Sequence, residues 1–331
     1  PVNTSTKPLI LFQRSNPWDS PVQGSTKTYA RLFQQAGHPV TYLQDLAHSG
    51  HWLLRRGYFN TWKKGSYWSK GVWVSSGLSI FPSMLQLGIY NPKLVELSYR
   101  SCVPSIHHQI RQSCFSSPDV IWSTIPGSGV LKKLFPHAKL IMNVVDFYPA
   151  FHGKNIQKLE AYDYSVADHI FVTAHTLKKY LIETFSVPAK KIMVLGQGVD
   201  VERYARTYER PTDLPNCEGP IAIWVGVLQK ADVEFLERLA VEVEQRSGCL
   251  VLIGPSADWD RDALQKQCVV RLGPRRSEDV PAYLSYSDIG VMLYDRSRAS
   301  VYRGQNPLKL YEYLAAGISG LSTPHDEYEY I

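Results

Sequence analysis

The chain has 331 residues, of which 44% are hydrophobic and 20% are charged, and its formal net charge is +6. This length favours two domains with sizeable apolar cores. Because no run of about 18 apolar residues occurs, no membrane-spanning helix is expected. The first eight residues lack the basic and then apolar pattern of a secretory signal. The five cysteines form no CxxC pair, which argues for a reducing compartment and against structural zinc.

The first half of the chain alternates apolar strand patterns with helical ones. Residues 8–12 predict a strand, and a loop containing Gly24 and Ser25 leads into a helix with apolar residues at 29, 32, 33 and 36. Residues 37–43 end that helix and start a second strand, and further strands are expected at 119–122, 139–145, 169–173 and 191–195. This alternation predicts an α/β sheet in a first domain of residues 1–207, followed by a polar, proline-rich linker at 208–220.

Positive charge is concentrated in the first half, where residues 1–203 hold 22 Lys and Arg against 11 Asp and Glu. No acidic residue occurs between Asp45 and Glu96. In that interval cations alternate with aromatic residues, among them Trp52, Arg55, Arg56, Trp62, Lys63, Lys64 and Trp68. This mixture suits an anionic membrane surface, although a solvated rim around an acceptor loop has the same composition. Nucleic acid could also use it, but the sheet-forming sequence around it argues against that partner.

The second half repeats the plan over residues 221–331. Residues 221–226 predict a strand that runs into a glycine turn at Gly226, and 233–243 predict an amphipathic helix. Strands are then expected at 250–254, 269–272 and 289–294, with a helix around 280–284. A second doubly wound domain therefore follows the linker.

Residues 306–317 are the most informative segment. Asn306 is a good helix N-cap, and Pro307 suits the first helical position. The free N–H groups of that turn favour a diphosphate, and Lys309 adds a positive charge. Glu312 lies one turn further on the same face, where its carboxylate can accept both hydroxyls of a ribose. The alternative is a weak surface ion pair between Lys309 and Glu312.

The order of these segments resembles that of the GT-B glycosyltransferases. The resemblance is carried by GHPV at 37–40, GQGVD at 196–200, residues 288–294 and, most specifically, PLKLYEYLAAG at 307–317. It is nearest to bacterial exopolysaccharide transferases, including the membrane-associated glucuronosyltransferase of xanthan assembly. This resemblance implies two facing Rossmann-like domains, with a nucleotide sugar bound mainly by the second and without a metal. It also implies nucleotide binding by Tyr294, Leu308 and Lys309.

Two departures from the family pattern affect what the resemblance implies. Retaining members often carry a second glutamate eight residues before the position of Glu312, and here that position is Gly304. GT-B chains also continue past the segment that matches Ser322 and Thr323. The second domain is therefore expected to be incomplete at its C-terminus, and the chain is expected to be a fragment.

The candidate chemistry is a sugar transfer in which cations stabilise the leaving diphosphate and a carboxylate deprotonates the acceptor. Lys230, after the turn at Gly226, is a candidate second cation. Arg303 and Gln305 lie on the loop before the helix that starts at 306 and could reach the donor. The alternative is that all three are ordinary surface residues.

Asp146 is the candidate base because it ends an apolar strand, although it could equally cap a turn. Gly24 and Ser25 are candidates for backbone contact with donor or acceptor, and Gly24 could instead be an ordinary loop glycine.

The sequence as a whole predicts a cytoplasmic, peripherally membrane-bound glycosyltransferase. Its donor would be a UDP-sugar and its acceptor a lipid-linked glycan or polysaccharide, with no cofactor and no metal. A hydrolysing UDP-sugar epimerase and a non-catalytic module that binds a nucleotide or glycan are the alternatives.

Overall fold

The computed structural model describes residues 7–13, 17–19, 24–48, 62–81, 90–113, 115, 117–255, 264–302 and 305–330. Five positions discussed above lie outside these residues: Trp52, Arg55, Arg56, Arg303 and Gly304. The chain divides into two compact units, Pro1–Leu195 and Gly196–Ile331. This division precedes the expected linker at 208–220, part of which packs on the second unit: the Tyr286 hydroxyl donates to the Tyr208 carbonyl oxygen at 2.7 Å.

The first unit is built on an eight-stranded sheet. Its strands are β1 (Ile10–Gln13), β2 (Val40–Leu43), β4 (Tyr67–Ser69), β5 (Val72–Ser75), β8 (Val120–Ser123), β9 (Lys139–Val144), β10 (His169–Val172) and β11 (Ile192–Val194). They lie in the order β11-β10-β9-β8-β1-β2-β5-β4, and all neighbours are parallel except β4 and β5. The strand order reverses at β1, which creates a crevice at the carboxyl ends of β1 and β8.

Helices connect these strands. They are α1 (Ser25–Gln35), α2 (Pro92–Arg100), α3 (Ile106–Arg111), α4 (Leu131–Leu134), α5 (Pro149–His152), α6 (Gln157–Val166) and α7 (His175–Phe185). Single 3-10 turns occur at Ser128–Val130, Lys154–Ile156 and Ala189–Lys191. Apolar side chains of the strands are buried on both faces of the sheet, as the near-continuous apolar strand patterns predict.

The sequence did not predict the hairpin of β4 and β5. Its turn is formed by Lys70 and Gly71, which both have positive φ, the conformation that the tight turn of a two-residue hairpin requires. A small sheet made of β3 (Ala47–His48), β6 (Leu78–Ser79) and β7 (Cys102–Val103) was also missed. The strands of the small sheet have only two residues each, which is too short for a periodic pattern to show.

The second unit contains a five-stranded, fully parallel sheet. Its strands are β12 (Ile221–Val225), β13 (Cys249–Ile253), β14 (Val269–Gly273), β15 (Ile289–Met292) and β16 (Ser319–Ser322), in the order β14-β13-β12-β15-β16. Its helices are α8 (Val201–Tyr204), α9 (Val233–Glu244), α10 (Val280–Leu284), α11 (Ala299–Tyr302) and α12 (Leu308–Ala315). Its 3-10 turns are Leu228–Lys230, Arg296–Arg298 and Asp326–Tyr330.

The predicted α/β class and the strand–helix alternation of both halves are confirmed. No helix within the described ranges combines the length and the apolar composition that crossing a membrane would require.

Candidate functional site

A tight glycine turn follows β12 in the second unit. Gly226 and Gly254, which follow β12 and β13, have φ values of +140° and +145°. The Gly226 N–H donates to the Ile253 carbonyl oxygen at 2.8 Å. A β-carbon at Gly254 would lie 1.8 Å from the Gly226 carbonyl oxygen, so only glycine allows the two backbones to meet here. The turn leaves the carboxyl ends of both strands open, which is where ligands bind in parallel α/β sheets.

Helix α12 begins one residue later than the sequence predicted. Pro307 has extended backbone angles and occupies the N-cap, and Leu308 is the first helical residue. The N-cap prediction for Asn306 is therefore wrong, because ψ at Pro307 is 115° and excludes it from the helix. Asn306 is buried, and no side chain caps the helix. The N-cap residue therefore makes no side-chain bond to the N–H groups of the first turn, which suits an anion site.

Tyr313 ties this helix to the sheet. Its hydroxyl oxygen lies 3.3 Å from the Val225 nitrogen, 3.4 Å from the Ile223 carbonyl oxygen and 3.3 Å from the Val291 carbonyl oxygen. A β-carbon at Gly290 would lie 2.2 Å from the Tyr313 ring, so the glycine provides the space for it. Tyr313 therefore holds α12 against β12 and β15, next to the glycine turn.

The ammonium group of Lys309 is enclosed by aromatic rings. Its Nζ lies 3.6 Å from the centroid of the Trp224 ring and 5.2 Å from that of Tyr294, at cation–π distances. The side chain as a whole is half-buried, but Nζ is buried and no hydrogen-bond partner for it exists in the described part of the chain. A β-carbon at Gly226 would lie 2.8 Å from this nitrogen. A buried ammonium group without a hydrogen bond is costly, and an anion bound beside it would supply the missing partner.

The pKa of Lys309 depends on its burial and on two neighbouring charges. Burial and then the positive charge of Lys230 lower the pKa of Lys309, and the carboxylate of Glu312 opposes the shift, so that the pKa lies at about 7. Lys230 is the last residue of the 3-10 turn Leu228–Lys230, which begins two residues after Gly226. Two basic groups are thus held close together beside the glycine turn, which favours a ligand with more than one negative charge.

Glu312 does not form the surface ion pair with Lys309 that was the alternative interpretation. Its carboxylate accepts a hydrogen bond from the Tyr204 hydroxyl, and burial raises its pKa. Tyr204 ends α8, just after the GQGVD segment, and is itself buried. The structure therefore presents Glu312 as an oriented, half-buried acceptor beside Lys309, which is the arrangement expected of a ribose-binding carboxylate.

The other predicted donor residues have different surroundings. Tyr294 is buried and stacks on Tyr302, with 4.9 Å between the ring centroids. Its ring also borders the Lys309 ammonium group. Leu308 is exposed at the start of α12, and Gln305 is half-buried with its N–H donating to the Tyr302 carbonyl oxygen. The structure brings Gly226, Lys230, Tyr294, Lys309 and Glu312 into one site within the second unit.

The candidates in the first unit lie at the carboxyl ends of β1, β8 and β9. Gly24 is the N-cap of α1, where no side chain caps the helix, and Ser25 is its first residue. Asp146 follows β9 in a half-buried bend.

Two contacts join these candidates through Thr124, which follows β8. Its carbonyl oxygen accepts a hydrogen bond from the Tyr148 hydroxyl. Its Oγ1 lies 3.3 Å from the Oγ1 of Thr26 in the first turn of α1. The bend of Asp146 and the start of α1 thus surround the end of β8.

Several residues of these sites were not identified from the sequence. Trp224 and Tyr313 were predicted only as parts of a strand and a helix, and Tyr204 was not predicted at all, because their roles depend on partners far away in the chain. Asn143 at the end of β9 was also missed; it is buried, and neither amide atom has a hydrogen-bond partner among the residues that the structure describes. A polar residue inside the apolar strand 139–144 was the one available signal.

Comparison with solved structures identifies the architecture. A glycosyltransferase from Rickettsia africae aligns over 98% of this chain and 81% of its own, with a TM-score of 0.62 and 13% identity. HepE of Anabaena in complex with UDP aligns over 98% of this chain and 82% of its own, with a TM-score of 0.58 and 13% identity. The chain has the GT-B fold.

The sequence is similar to that of TuaH of Bacillus subtilis, provisionally named as a teichuronic acid biosynthesis glycosyltransferase. The two are 26% identical over 215 residues, which is 60% of this chain and 53% of TuaH. The chain thus spans about half the length of this relative. No family model matches this chain. The finer resemblance to the xanthan-assembly glucuronosyltransferase stays a prediction.

Substitution of Gly226 by alanine should displace the Lys309 ammonium and reduce nucleotide affinity. The new methyl group would overlap Lys309 Cε, which lies 2.7 Å from the β-carbon position, and φ at Gly226 is also unfavourable for alanine. We expect roughly a 10-fold or greater loss of UDP affinity by calorimetry, as for loss of a hydrogen bond to a charged group.

The matched control is Gly273→Ala, because Gly273 also has positive φ but has no atom within 4 Å of its β-carbon position. It shares the backbone strain without the contact to Lys309. Equal effects of the two substitutions would contradict the assignment of Gly226 to the site.

Proposed function

We propose that this chain is the donor-binding and acceptor-binding part of a glycosyltransferase that uses a UDP-sugar. The observation that carries this proposal is the enclosed Lys309 ammonium at the start of α12, beside the turn at Gly226 and without a hydrogen-bond partner among the described residues. The similarity to TuaH and the GT-B fold support the same reaction class. HepE of Anabaena, which shares the fold, has been solved with UDP and with UDP-glucose.

In the proposed donor complex the diphosphate meets the first turn of α12. The N–H groups of that turn donate to phosphate oxygens, and Lys309 and Lys230 balance the negative charge. Glu312, held by the Tyr204 hydroxyl, accepts the ribose hydroxyls. Because these groups stabilise a leaving UDP without a Lewis acid, we propose a metal-independent transfer.

Asp146 is proposed to accept the proton of the attacking hydroxyl. It lies at the carboxyl end of β9, beside the β8 end that Tyr148 and Thr26 contact. The start of α1 at Gly24 and Ser25 would then hold the acceptor. A carboxylate base that activates the acceptor hydroxyl for a single displacement would give inversion at the anomeric carbon.

A lipid-linked acceptor at the inner face of the plasma membrane is proposed from the basic aromatic segment. In the described part of that segment, Trp68 is 52% exposed and packs edge to face on Trp73 at 5.3 Å. Lys64 pairs with Asp19 at 2.7 Å, so part of its charge is neutralised within the protein. Of the two residues before Lys64, Trp62 is half-buried and Lys63 is exposed. Co-sedimentation with anionic vesicles that high salt abolishes tests this placement, and equal binding to neutral vesicles would contradict it.

Incubation with a panel of UDP-sugars and a short lipid-linked or soluble glycan tests the reaction class. Transfer of the sugar to the glycan is the expected result. Release of UDP with an epimerised free sugar in the absence of acceptor would favour the epimerase. Tight UDP binding without turnover by a longer chain would favour the non-catalytic module.

The affinity for UDP should fall as the pH rises above 7. The free protein holds Lys309 with its pKa lowered to about 7, whereas a bound diphosphate favours the ammonium, so binding above that pH must take up a proton. Lys230, Glu312 and Tyr294 are the titratable groups around this nitrogen. We expect affinity to drop by up to about 10-fold per pH unit between pH 7 and 9, where the phosphates of UDP stay ionised.

Calorimetric titrations in two buffers of different ionisation enthalpy measure this proton uptake directly. Lys309→Met is the control, because it keeps an unbranched side chain and cannot take up the proton. A wild-type affinity that stays constant from pH 7 to 9 would contradict the linkage.

A further inference from the structure

Three cysteines of the second unit lie at the amino ends of its strands. Cys217 precedes β12, Cys249 is the first residue of β13, and Cys268 directly precedes β14. The parallel strands β12 and β13 pair Ile221 with Cys249 at their amino ends and Val225 with Ile253 at their carboxyl ends. The glycine turn follows the carboxyl ends, so the cysteines lie at the opposite end of the sheet. The cysteines therefore take no part in the proposed donor site.

Two glycines bring the segment that carries Cys217 against the segment that carries Cys249. A β-carbon at Gly219 would lie 1.8 Å from the Arg246 carbonyl oxygen, and one at Gly248 would lie 2.3 Å from the Pro220 carbonyl oxygen. The Gly219 N–H donates to the Ser247 carbonyl oxygen at 2.9 Å. The two backbones are thus in direct contact, with no side chain between them.

This contact places two thiols side by side. The Cys217 thiol donates to the Gly219 carbonyl oxygen at 3.5 Å, at the contact between the two segments. Burial and then the neighbouring Cys217 side chain raise the pKa of the Cys249 thiol, whereas the Cys268 thiol donates to the Ala240 carbonyl oxygen at 3.4 Å. Cys217 is half-buried and Cys249 is buried. One thiol of the pair is therefore accessible to a small reagent, and the other is accessible mainly to its partner.

We propose that Cys217 and Cys249 form a reversible disulfide when the protein meets a small-molecule disulfide such as oxidised glutathione. The Cys217 thiolate attacks one sulfur of the reagent, which breaks the S–S bond and releases one glutathione thiolate. The Cys249 thiol then loses its proton to solvent and attacks the Cys217 sulfur, releasing the second glutathione. Two protein thiols are oxidised, and one glutathione disulfide is reduced to two thiols.

The bond would close a loop that contains β12 and α9. Burial raises the pKa of the Cys249 thiol to about 12, so closure is the slower step and depends on the contact with Cys217. Because the cross-link restricts the unfolded chain and lies at the amino ends of the strands, it should raise the unfolding temperature of the second unit without changing UDP affinity.

The test is peptide mapping of the whole chain after treatment with oxidised glutathione. Trypsin places the three cysteines in separate peptides, 207–230, 247–261 and 267–271. We expect a cross-link between the first two, reversal by dithiothreitol, and a higher unfolding temperature of the oxidised protein. Cys268→Ser should keep the cross-link, and Cys217→Ser should abolish both the cross-link and the shift in unfolding temperature.

Two results would overturn the proposal. One is a cross-link between Cys249 and Cys268. The other is accumulation of glutathione on Cys217 while Cys249 stays reduced after prolonged treatment. Because UDP affinity is measured separately, failure of the disulfide leaves the proposed donor site untouched, and failure of UDP binding leaves the disulfide testable.

Discussion

Replacement of Lys309 by alanine should weaken UDP binding by about 10- to 100-fold. The expected loss corresponds to a hydrogen bond between charged groups, worth about 1.5–3 kcal/mol. The ammonium lies 3.6 Å from the Trp224 ring centroid and has no hydrogen-bond partner in the described residues, so its removal breaks no hydrogen bond of the unliganded protein. The variant should therefore fold normally, and calorimetry with UDP measures the effect.

The matched control is Lys266→Ala in the same unit. Lys266 contacts Glu244 at 3.5 Å on the surface and precedes β14 at its amino end. The Lys266→Ala substitution removes one positive charge from the second unit without altering the turn at Gly226. An Lys309→Ala variant that binds UDP as tightly as the wild type would remove Lys309 from the donor site.

Replacement of Asp146 by asparagine should reduce sugar transfer by about 10²- to 10⁴-fold, the usual contribution of a general base. UDP affinity should stay unchanged, because the groups proposed to bind the nucleotide belong to the second unit and Asp146 belongs to the first. The turnover rate and the UDP affinity, measured on the same preparation, separate the two effects.

Asp168→Asn is the control for loss of a carboxylate in the first unit. Asp168 pairs with Lys132 and accepts the Leu140 N–H at 2.8 Å, so its role is to fix the start of β9. This variant should lose stability and retain turnover when it is folded. Wild-type turnover by Asp146→Asn would exclude Asp146 as the base and would favour a retaining mechanism.

The strand–helix alternation could be predicted because its signal is local. The apolar runs that became β9, β12 and β13 are continuous, as expected of strands buried on both faces of a sheet. The hairpin of β4 and β5 was missed because its signal is a pair of positive φ values at Lys70 and Gly71, and lysine is a rare residue for such a turn.

Only the charged residues of the site and its glycine turn could be predicted from the sequence. Lys309, Glu312 and Gly226 stood out because a glycine turn and a helix start have sequence signatures. Trp224 and Tyr204 did not, because each acts through a partner that is distant in the chain. The N-cap of α12 was placed one residue early, since either Asn306 or Pro307 fits the sequence and only the backbone angles decide.

Calorimetric titration of this chain with UDP, GDP and ADP tests the central claim, that α12 and the turn at Gly226 form a nucleotide-diphosphate site. We expect saturable binding of UDP, weaker binding of GDP and ADP, and loss of UDP affinity in Lys309→Ala with no loss in Lys266→Ala. Equal affinity for the three nucleotides, or UDP binding that does not depend on Lys309, would contradict it.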